Sequence, residues 1–503
     1  MSCLLVTDVG TTSIKSTLFD LQLRPLASAT GEYSIRSYPD GRVELDPETY
    51  WTYFRRGLAA VCEQAGIHAG EIERLTFTTQ GETLIPVDAG GRALGNAIVW
   101  LDTRAEAEAG IVSREAGADE LYRRTGIADC NATCPISKLL WIKKHAPNLY
   151  TAASRFLLVE DYLILRLTGR FVSEKSVMST TGYYDIYHDA LWTELLEALG
   201  LDPGKLPETL DCGEEAGTVL PSVAAELGLS PRALVVTAAM DQIASTLGAG
   251  NVADGIITET TGTVLAIAAT CGKESLCADK HVTVYKHALP GKYLYLPICM
   301  TGGMALKWFK DQFCAAEQSL AKERGLPVYR LLDELAEQSP PLSNGVLTLP
   351  YFNGTLQPQF NPAARGVFFG VGLENTRADF VRSILESVAY MLRENIEMIA
   401  ALGGGAPSRL HCCGGGSRSS VWNQIKADVL GLNAYELTCS ETTSIGAAAL
   451  SLLPKYGEAG VVSLLEQTNP IRREYLPDPE TGEAYRSGYA RYLDLYQSLK
   501  GLF

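Results

Sequence analysis

One junction limits the folds that this chain can adopt. Residues 234–240 form a largely apolar run that closes at Asp241, and an Ala- and Gly-rich stretch over residues 242–250 follows. A short apolar run that leads into a helical stretch indicates a buried strand followed by a helix. In an open α/β sheet, ligands bind just outside the carboxyl ends of the strands. The sequence therefore predicts an α/β fold with a carboxylate at a ligand-binding edge.

A glycine- and threonine-rich turn near the start of the chain adds a candidate anion site. It contains Asp8, Gly10, Thr11 and Thr12, and Lys15 follows closely. Glycine and small residues let backbone N–H groups approach an anion, and a carboxylate suits Mg²⁺. Such a turn alone is more often an ordinary hairpin than a phosphate site.

Two further turns support the phosphate interpretation. Gly262 and Thr263 lie about a dozen residues after the end of the stretch 242–250 and repeat the pattern of the first turn. The run Gly414, Gly415, Gly416 and Ser417 follows a predicted strand and precedes a predicted helix, where backbone N–H groups favour anions. No segment fits the P-loop pattern or the protein-kinase motifs. Two turns of one kind and a well-placed acid favour phosphoryl transfer on some other fold.

Asp241 has either a structural or a catalytic interpretation. An isolated Asp at such a junction commonly caps its helix. Phosphoryl transfer to a sugar hydroxyl needs in-line positioning, charge neutralisation and a carboxylate that accepts the proton. Candidate contacts for a small polyhydroxy ligand follow other predicted strands, and each of them has a structural alternative as well: Gln80, Glu82, Trp100 and Asp102.

Composition excludes several classes of protein. The 503 residues fit two or three domains, and the net charge of −15 argues against a nucleic-acid partner. No basic and apolar leader follows Met1, and no apolar run reaches about 18 residues, so we expect a cytoplasmic protein with no membrane span. The 12 cysteines are scattered, as reduced core thiols are.

The order of predicted elements repeats along the chain. Strands are predicted at 3–8, 14–19 and 26–34, followed by a helix that begins near Asp46. Strands at about 255–261 and 263–269 open a second half, in which the helix 377–401 has one apolar face. This order predicts two α/β domains, residues 1–248 and 249–503, related by duplication.

The motifs together resemble the FGGY family of carbohydrate kinases over nearly the whole chain. Seven segments carry the resemblance, in the same order as in the family: 8–12, 79–83, 99–104, 138–142, 239–242, 366–386 and 414–419. The resemblance implies two actin-like (ribonuclease H-like) domains with ATP, Mg²⁺ and the substrate in a cleft between them. Some members of the family form homodimers. The resemblance therefore implies a homodimer as one expectation for this chain.

The resemblance also implies roles for individual residues. Asp241 would be the base that takes the proton of the substrate hydroxyl, and Asp8 would hold the metal-bound phosphates, with Mg²⁺ near both carboxylates. Gly10, Thr11, Gly262 and Thr263 match the family's phosphate-binding positions. Gly302 and Gly303 would line the nucleotide side, and Gly414 to Ser417 would pack on the adenosine.

Substrate choice is less clearly marked. Residues 80–83 are similar to the Gln-Arg-Glu-Thr of glycerol kinases, but Gly81 replaces the arginine. Thr133 aligns with a substrate-contacting tyrosine of those enzymes, and residues 353–358 depart from the family's usual segment. The pocket is therefore expected to be wider than in glycerol kinases, which favours a ketopentose such as xylulose. A four- or five-carbon polyol is the alternative.

Two other classes of protein remain open. Actin-like folds also serve as chaperone ATPases and filament proteins, but these have no use for Asp241, for the Gln80 and Glu82 pair or for the segment 366–386. A degenerate kinase that only senses a sugar is the second rival. The changes at residues 81 and 353–358 favour it, whereas the intact Asp8, Asp241 and triple glycine oppose it.

Overall fold

The computed structural model describes residues 2–272, 282–403 and 406–503 and divides the chain into two compact units. Unit 1 comprises residues 1–252, 283–294 and 441–469. Unit 2 comprises residues 253–282, 295–440 and 470–503. Neither unit is one continuous stretch of the sequence.

The described strands are short to medium in length and occur throughout the chain. In chain order they are β1 (Cys3–Val9), β2 (Ser13–Asp20), β3 (Pro25–Glu32), β4 (Arg36–Ser37), β5 (Val43–Leu45), β6 (Ile72–Thr79), β7 (Ile85–Val87), β8 (Ala97–Ile98), β9 (Arg155–Leu157), β10 (Val172–Glu174), β11 (Tyr184–Asp185), β12 (Ala190–Leu191), β13 (Glu208–Leu210), β14 (Glu215–Thr218), β15 (Leu234–Met240), β16 (Ile256–Thr261), β17 (Leu265–Gly272), β18 (Val284–Lys286), β19 (Lys292–Tyr295), β20 (Ile298–Cys299), β21 (Leu347–Leu349), β22 (Val367–Phe369), β23 (Arg409–Cys413), β24 (Asn433–Leu437) and β25 (Ile471–Tyr475).

The described α-helices alternate with these strands in both units. In chain order they are α1 (Glu48–Ala65), α2 (Glu106–Ala116), α3 (Ala118–Thr125), α4 (Pro135–His145), α5 (Pro147–Ala152), α6 (Val159–Thr168), α7 (Lys175–Met178), α8 (Thr193–Ala198), α9 (Pro221–Leu227), α10 (Asp241–Gly248), α11 (Gly303–Phe313), α12 (Ala315–Arg324), α13 (Val328–Gln338), α14 (Arg377–Ala401), α15 (Ser420–Leu430), α16 (Thr442–Ser451), α17 (Leu453–Thr468) and α18 (Pro479–Leu499).

The main sheet of unit 1 has the strand order β14-β15-β6-β1-β2-β3. β1, β2 and β3 are consecutive antiparallel strands, whereas β1, β6 and β15 run parallel to one another. The inner strands β1 and β15 are buried along almost their whole length, as parallel strands covered on both faces are. Helices α1 and α6 contribute buried apolar side chains to the same core.

The main sheet of unit 2 repeats this arrangement with different residues. Its strands follow the order β17-β16-β23-β24-β25, and β20 also pairs with β17. β16 and β17 form an antiparallel pair, and β16, β23 and β24 run parallel. Each unit therefore places an antiparallel hairpin next to parallel strands, which agrees with the duplication predicted from the order of elements.

The predicted elements are confirmed at most positions that bear on the site. The first hairpin, the strand before Asp241 and the helix 377–401 are all present. Residues 202–221, where several Gly and Pro residues predict loops, instead contain β13 and β14. The predicted domain boundary at residue 248 lies near the end of the first segment of unit 1, but α16 and α17 return to unit 1 late in the chain. A division of the chain at one residue therefore cannot separate the two units, because residues 441–469 also belong to unit 1.

Helix α10 packs closely against α16 within unit 1. A Cβ atom on Gly446 would lie 1.9 Å from the Ala244 carbonyl oxygen, and one on Gly248 would lie 1.9 Å from the Thr442 carbonyl oxygen. The hydroxyls of Ser245 and Thr442 are 2.8 Å apart across the same contact. Glycine is therefore required for the two backbones to approach, and α16 fixes the helix that begins at Asp241.

No helix within residues 2–272, 282–403 and 406–503 is both long enough and apolar enough to cross a membrane.

Candidate functional site

Three parallel strands of unit 1 end together and bring three predicted site residues to one edge of the sheet. Val9 of β1 is paired with Thr79 of β6, and Thr79 is paired with Met240 of β15. Asp8, Gln80 and Asp241 therefore occupy the carboxyl ends of adjacent strands, where α/β sheets bind ligands. This confirms the position predicted for Asp241 at the end of a buried strand.

Asp241 is the first residue of α10, and its environment disfavours the charged form. Its Oδ1 accepts a hydrogen bond of 2.6 Å from the backbone N–H of Gln242. The pKa of Asp241 is raised to about 7. Burial is the main cause, and the negative charges of Asp8 and Glu82 contribute to the same shift. A carboxyl group with this pKa can accept a proton near neutral pH.

Asp8 lies on β1 opposite Lys15 of β2. Burial raises the pKa of Asp8 to about 6, the charge of Lys15 lowers it, and that of Glu441 raises it. Lys15 forms an ion pair with Glu441, which precedes α16. Lys15, whose positive charge was expected to bind phosphate, therefore already interacts with two carboxylates, those of Asp8 and Glu441.

The first glycine turn is held by hydrogen bonds to its own backbone and to Trp100. The N–H of Gly10 donates to the Ser13 carbonyl oxygen at 3.0 Å, and the Thr12 carbonyl oxygen accepts from Tyr33 N–H at 2.9 Å. The indole N–H of Trp100 donates to the Thr11 hydroxyl oxygen at 2.9 Å. Trp100 is thus attached to the turn predicted to bind phosphate.

Glu82 adopts an uncommon backbone conformation that Lys138 supports. Its φ angle is +63°, in the left-handed region that non-glycine residues rarely occupy. The ammonium group of buried Lys138 donates to the carbonyl oxygens of Glu82 at 2.9 Å and of Val99 at 3.1 Å. Burial raises the pKa of Glu82 and lowers that of Lys138, and each charge opposes the shift of the other. Strain of this kind is concentrated at functional sites.

Gln80 presents a buried polar atom that lacks a protein partner. Its Nε2 donates to the Tyr50 hydroxyl at 3.1 Å, but its Oε1 has no hydrogen-bond partner among the described residues. Buried acceptors are nearly always satisfied in native proteins. The free Oε1 of Gln80 therefore marks a position suited to a ligand hydroxyl.

The sequence grouped Asp102 with the substrate contacts. In the structure, its carboxylate oxygens accept hydrogen bonds from the protein itself. Its Oδ2 accepts from Val43 N–H at 2.6 Å, and both oxygens accept from the Arg104 guanidinium at 2.7 to 3.0 Å. Arg104 also bonds to Glu44 at 2.7 Å. This network, in which Asp102 is fully buried, holds the loop that carries Trp100, so Asp102 supports the site without a free oxygen for a ligand.

Gly81 is packed more tightly than the sequence suggested. A Cβ atom at this position would lie 3.2 Å from the Met240 sulfur and 3.3 Å from Cγ2 and Oγ1 of Thr180. These side chains fill the space into which a larger residue would extend. The expected widening of the pocket at Gly81 is therefore absent at this position.

Three residues near Glu82 were missed by the sequence analysis. Burial raises the pKa of the Tyr285 phenol, and the charges of Glu82 and Cys134 add to the effect. Tyr285 lies on β18, about 200 positions after Glu82. Lys138 and Cys134 lie in α4 and at its N-terminus. Only Lys138 had a signal in the sequence, because it opens one of the segments that resemble the kinase family.

The second glycine turn, in unit 2, is built by close contacts between backbones. Gly303 N–H donates to the Gly262 carbonyl oxygen at 2.8 Å, and Gly302 N–H donates to that of Thr263 at 3.0 Å. A Cβ on Gly302 would lie 2.6 Å from the Val264 carbonyl group, whereas one on Gly262 would meet no atom within 4 Å. Gly302 and Gly303 therefore fix the turn, and Gly262 faces open space that an anion could occupy.

The triple glycine approaches the same turn from β23. Residues 415–418 form a single 3₁₀ turn, and α15 begins at Ser420. Gly414 has φ +71°, and a Cβ there would lie 2.8 Å from the Thr261 carbonyl oxygen. One on Gly416 would lie 2.7 Å from Thr261 Cβ. The Ser417 hydroxyl donates to the Gly414 carbonyl oxygen at 2.8 Å and closes this segment.

A fully buried ion pair lies beneath this turn. Lys426 of α15 donates to Glu259 Oε1 at 2.5 Å, and the Thr261 hydroxyl donates to Glu259 Oε2 at 2.5 Å. Both charged side chains have 0% exposure. The Glu259 carboxylate is thus neutralised by Lys426, and it anchors Thr261, the residue before Gly262.

The residues present fit a nucleotide and its metal in chemical type. Gly262 opens onto free space, as close approach of a ligand to backbone requires, and the backbone contacts of Gly302 and Gly303 hold that turn in place. Asp8 raises the pKa of Asp241, so a cation near both carboxylates would relieve their repulsion. Mg²⁺ commonly binds one or two carboxylates together with phosphate oxygens.

Comparison with known proteins identifies the family. The model of the FGGY carbohydrate kinase N-terminal domain matches residues 3–248, and that of the C-terminal domain matches residues 256–453. The xylulose kinase of Escherichia coli (strain K12) is 29% identical, over 98% of this chain and 98% of that protein. The gluconokinase of Bacillus subtilis (strain 168) is 26% identical, over 100% and 97%.

A solved structure agrees with these matches. The crystal structure of a xylulose kinase from Rhodospirillum rubrum covers 99% of both chains at 27% identity with a TM-score of 0.88. Together with the two domain matches, this similarity spans both units. The chain belongs to the FGGY family of carbohydrate kinases, the enzymes that transfer a phosphoryl group to a hydroxyl of a sugar or polyol.

Proposed function

We propose that this kinase phosphorylates a neutral sugar, most favourably a ketopentose such as xylulose, with ATP and Mg²⁺ and with Asp241 as general base. The observation that carries the proposal is the position of Asp241 at the end of β15, with a pKa of about 7. A base with this pKa is ionised often enough at neutral pH and still takes up a proton readily.

Asp241 can accept the proton at one defined atom. Its Oδ1 is engaged by the Gln242 N–H, so we assign the substrate proton to Oδ2. In a loose phosphoryl-transfer transition state, the base mainly orients the attacking hydroxyl and removes its proton as the new O–P bond forms. The helix α10 holds the carboxylate for this step, because its contact with α16 allows little movement.

Three residues are proposed to orient the sugar. Gln80 offers its unpaired Oε1 to a ligand hydroxyl, and Glu82 is held by Lys138. Trp100 supplies an aromatic face whose indole N–H is fixed on Thr11. Asp102 acts indirectly through Arg104, and Tyr285 is added as a fourth candidate contact beside Glu82.

Members of this family use ATP, and the chain has residues of the required kinds to hold it. We propose that Asp8, with Asp241, holds Mg²⁺, directly or through water, and that the phosphates bind Gly10, Thr11, Thr12, Lys15, Gly262 and Thr263. Gly302 and Gly303 shape the second turn, and Gly414 to Ser417 hold the adenosine. Bound Mg²⁺ and ATP supply the phosphoryl group and neutralise its charge.

The charges around the site favour a neutral acceptor over a sugar acid. The charges of Asp8 and Glu82 both raise the pKa of Asp241, so three carboxyl groups concentrate negative charge near the base. The nearby cation Lys138 is bound to two backbone carbonyl oxygens. A carboxylate on the acceptor would meet like charges at close range. This favours a substrate like that named for the Escherichia coli relative over a gluconate-type acid.

A panel of acceptors tests the proposal. ADP release with Mg-ATP is measured against D- and L-ketopentoses, glycerol, erythritol, pentitols and gluconate. We expect a ketopentose to stimulate turnover most, and we expect this stimulation to disappear in Asp241→Ala. Preference for a polyol or for gluconate would refute the choice of sugar. Slow ATP hydrolysis that no acceptor changes would refute the kinase activity proposed for these residues.

A further inference from the structure

The strand that leads to Asp241 has a strand partner on one side only at its end. β6 pairs with β15 as far as Met240. On the other side, the pairing with β14 ends at Val236, and the Thr237 backbone bonds to Gly213 and Glu214 just before β14. Beyond it, the backbone N–H of Ala238 donates to Glu160 Oε1 at 2.9 Å, and that of Met240 donates to Ser176 Oγ at 3.0 Å. Side chains therefore replace a neighbouring strand over the last residues before Asp241.

The acceptor for Met240 is itself fixed by an acid. The Ser176 hydroxyl donates to Glu174 Oε1 at 2.8 Å. Glu174 also accepts from the N–H groups of Ser176 and Val177, at 2.5 and 2.6 Å, and from the Cys212 thiol at 2.8 Å. Glu174 thus has several donors, as expected for a buried carboxylate.

Glu160 is different, because the part of the chain that the structure describes offers it one donor, the Ala238 N–H. It lies in the first turn of α6 with 0% exposure, and its Oε2 has no hydrogen-bond partner among the described residues. The charged groups that act on it are the carboxyls of Glu174 and Asp161. Burial and these like charges raise its pKa well above the ordinary range. The surroundings therefore disfavour the charged form of Glu160, whose Oε1 accepts the bond from the Ala238 N–H.

Burial of such a group is unfavourable unless the bond that it makes is needed. An apolar side chain at position 160 would fill the same space but would leave the Ala238 N–H buried without an acceptor. We propose that Glu160 is a positioning residue for phosphoryl transfer, because its Oε1 supplies the acceptor that β14 does not reach and so holds the end of β15 that carries Asp241. This inference rests on the role of Asp241 proposed above.

Two substitutions separate the hydrogen bond from the other properties of the side chain. Glu160→Gln keeps an oxygen acceptor and carries no charge, whereas Glu160→Met keeps the volume and loses the acceptor. Ser176→Ala removes the neighbouring acceptor, that of Met240, and should behave like Glu160→Met. Leu163→Ala is the matched control, because Leu163 is a buried core residue of the same helix that contributes no bond to β15.

The first measurement is amide hydrogen exchange of the peptide that covers residues 236–243, followed by mass spectrometry. We expect faster exchange in Glu160→Met and Ser176→Ala, and unchanged exchange in Glu160→Gln. Leu163→Ala should lower the unfolding midpoint without a selective effect on this peptide. Exchange in Glu160→Met equal to that of the wild type would overturn the inference. This measurement needs no substrate, so a wild-type protein that phosphorylates no acceptor refutes the proposed function and leaves the exchange result interpretable.

The second measurement is the pH dependence of turnover per folded molecule. A misplaced base should lower kcat about tenfold or more in Glu160→Met. Water that reaches Asp241 should also move the acid limb of the profile to lower pH, because desolvation is the main cause of its raised pKa. Glu160→Gln should keep both kcat and the limb of the wild type. Loss in Glu160→Gln equal to that in Glu160→Met, or unchanged kcat in Glu160→Met, would contradict the inference.

Discussion

The two main sheets of the protein share a strand arrangement but differ in the chemistry at their carboxyl ends. The edge in unit 1 carries Asp8 and Asp241; burial raises the pKa of both, and the charge of Asp8 adds to the shift of Asp241. The edge in unit 2 carries Gly262, and the buried carboxylate of Glu259 there is paired with Lys426. The edge in unit 1 thus keeps two carboxyl groups that can bind a cation or accept a proton. The edge in unit 2 has its carboxylate neutralised and offers backbone groups to a ligand.

This difference shows how one topology can support two tasks. Unpaired carboxylates destabilise a fold but can bind a cation or accept a proton. A neutralised edge with tightly packed glycines is rigid and admits a ligand close to its backbone. The predictions below test whether the two edges differ in this way.

The largest expected effect is on catalysis at the unit 1 edge. Asp241→Asn keeps the shape of the side chain but removes the base, so kcat should fall by about 10²–10⁴. Nucleotide affinity, measured by calorimetry, should remain near that of the wild type. Asp254→Asn, a change of an exposed aspartate, is the control and should leave kcat unchanged. Full activity in Asp241→Asn would remove the distinction between the edges.

The unit 2 edge should respond in stability. Lys426→Met leaves Glu259 buried without its partner, which should lower the free energy of unfolding by about 3–5 kcal/mol. The double variant Glu259→Met with Lys426→Met should recover most of this loss. Urea unfolding measures both, with the exposed Lys322→Met as control. An unfolding midpoint unchanged in Lys426→Met would show that the pair does not neutralise this edge.

The contact that fixes α10 gives a smaller expected effect. Gly446→Ala places a Cβ 1.9 Å from the Ala244 carbonyl oxygen and should destabilise the protein by about 1–3 kcal/mol as the helices separate. Gly110→Ala, also within a helix, meets only the end of the Arg114 side chain at 3.5 Å and should be neutral or stabilising. Equal melting temperatures for the two variants would contradict the close packing of α10 on α16.

The smallest expected effect is an increase in stability when the carboxyl group of Asp241 is replaced by an amide. Its pKa in the folded protein, about 7, exceeds the ordinary value of 3.8, so ionisation destabilises the fold. The destabilisation is complete above about pH 7 and is lost as pH falls towards 4. Asp241→Asn should therefore be more stable than the wild type at pH 8, with a smaller difference at pH 5. Urea unfolding at both pH values measures this, and a difference that grows at pH 5 would be contrary to it.

The sequence predicted the parts of the site that depend on local order. The apolar run before Asp241 and the first hairpin are confirmed because strand periodicity and turn residues act over a few positions. These two features needed no information about distant contacts. The register that brings Asp8, Gln80 and Asp241 to one edge is different, because it joins strands that lie far apart in the chain and is visible only in the fold.

Distant contacts explain what the sequence could not provide. Asp102 is a polar residue after a strand, and only the fold shows that Arg104 and the Val43 N–H occupy its oxygens. Tyr285 reaches the neighbourhood of Glu82 from a strand about 200 residues away. Gly81 suggested an empty space that Met240 and Thr180 fill. None of these pairings has a sequence period or a local motif.

The central claim is that Asp241 is a desolvated acid that accepts the substrate proton near neutral pH. The most direct test is the pH dependence of kcat/KM for the best acceptor, because this quantity reports the pKa of the free enzyme. We predict an acid limb with a midpoint near pH 7, where Asp241 loses its proton. A profile that stays flat down to pH 5 would show that the base is an ordinary solvated carboxylate and would contradict the account.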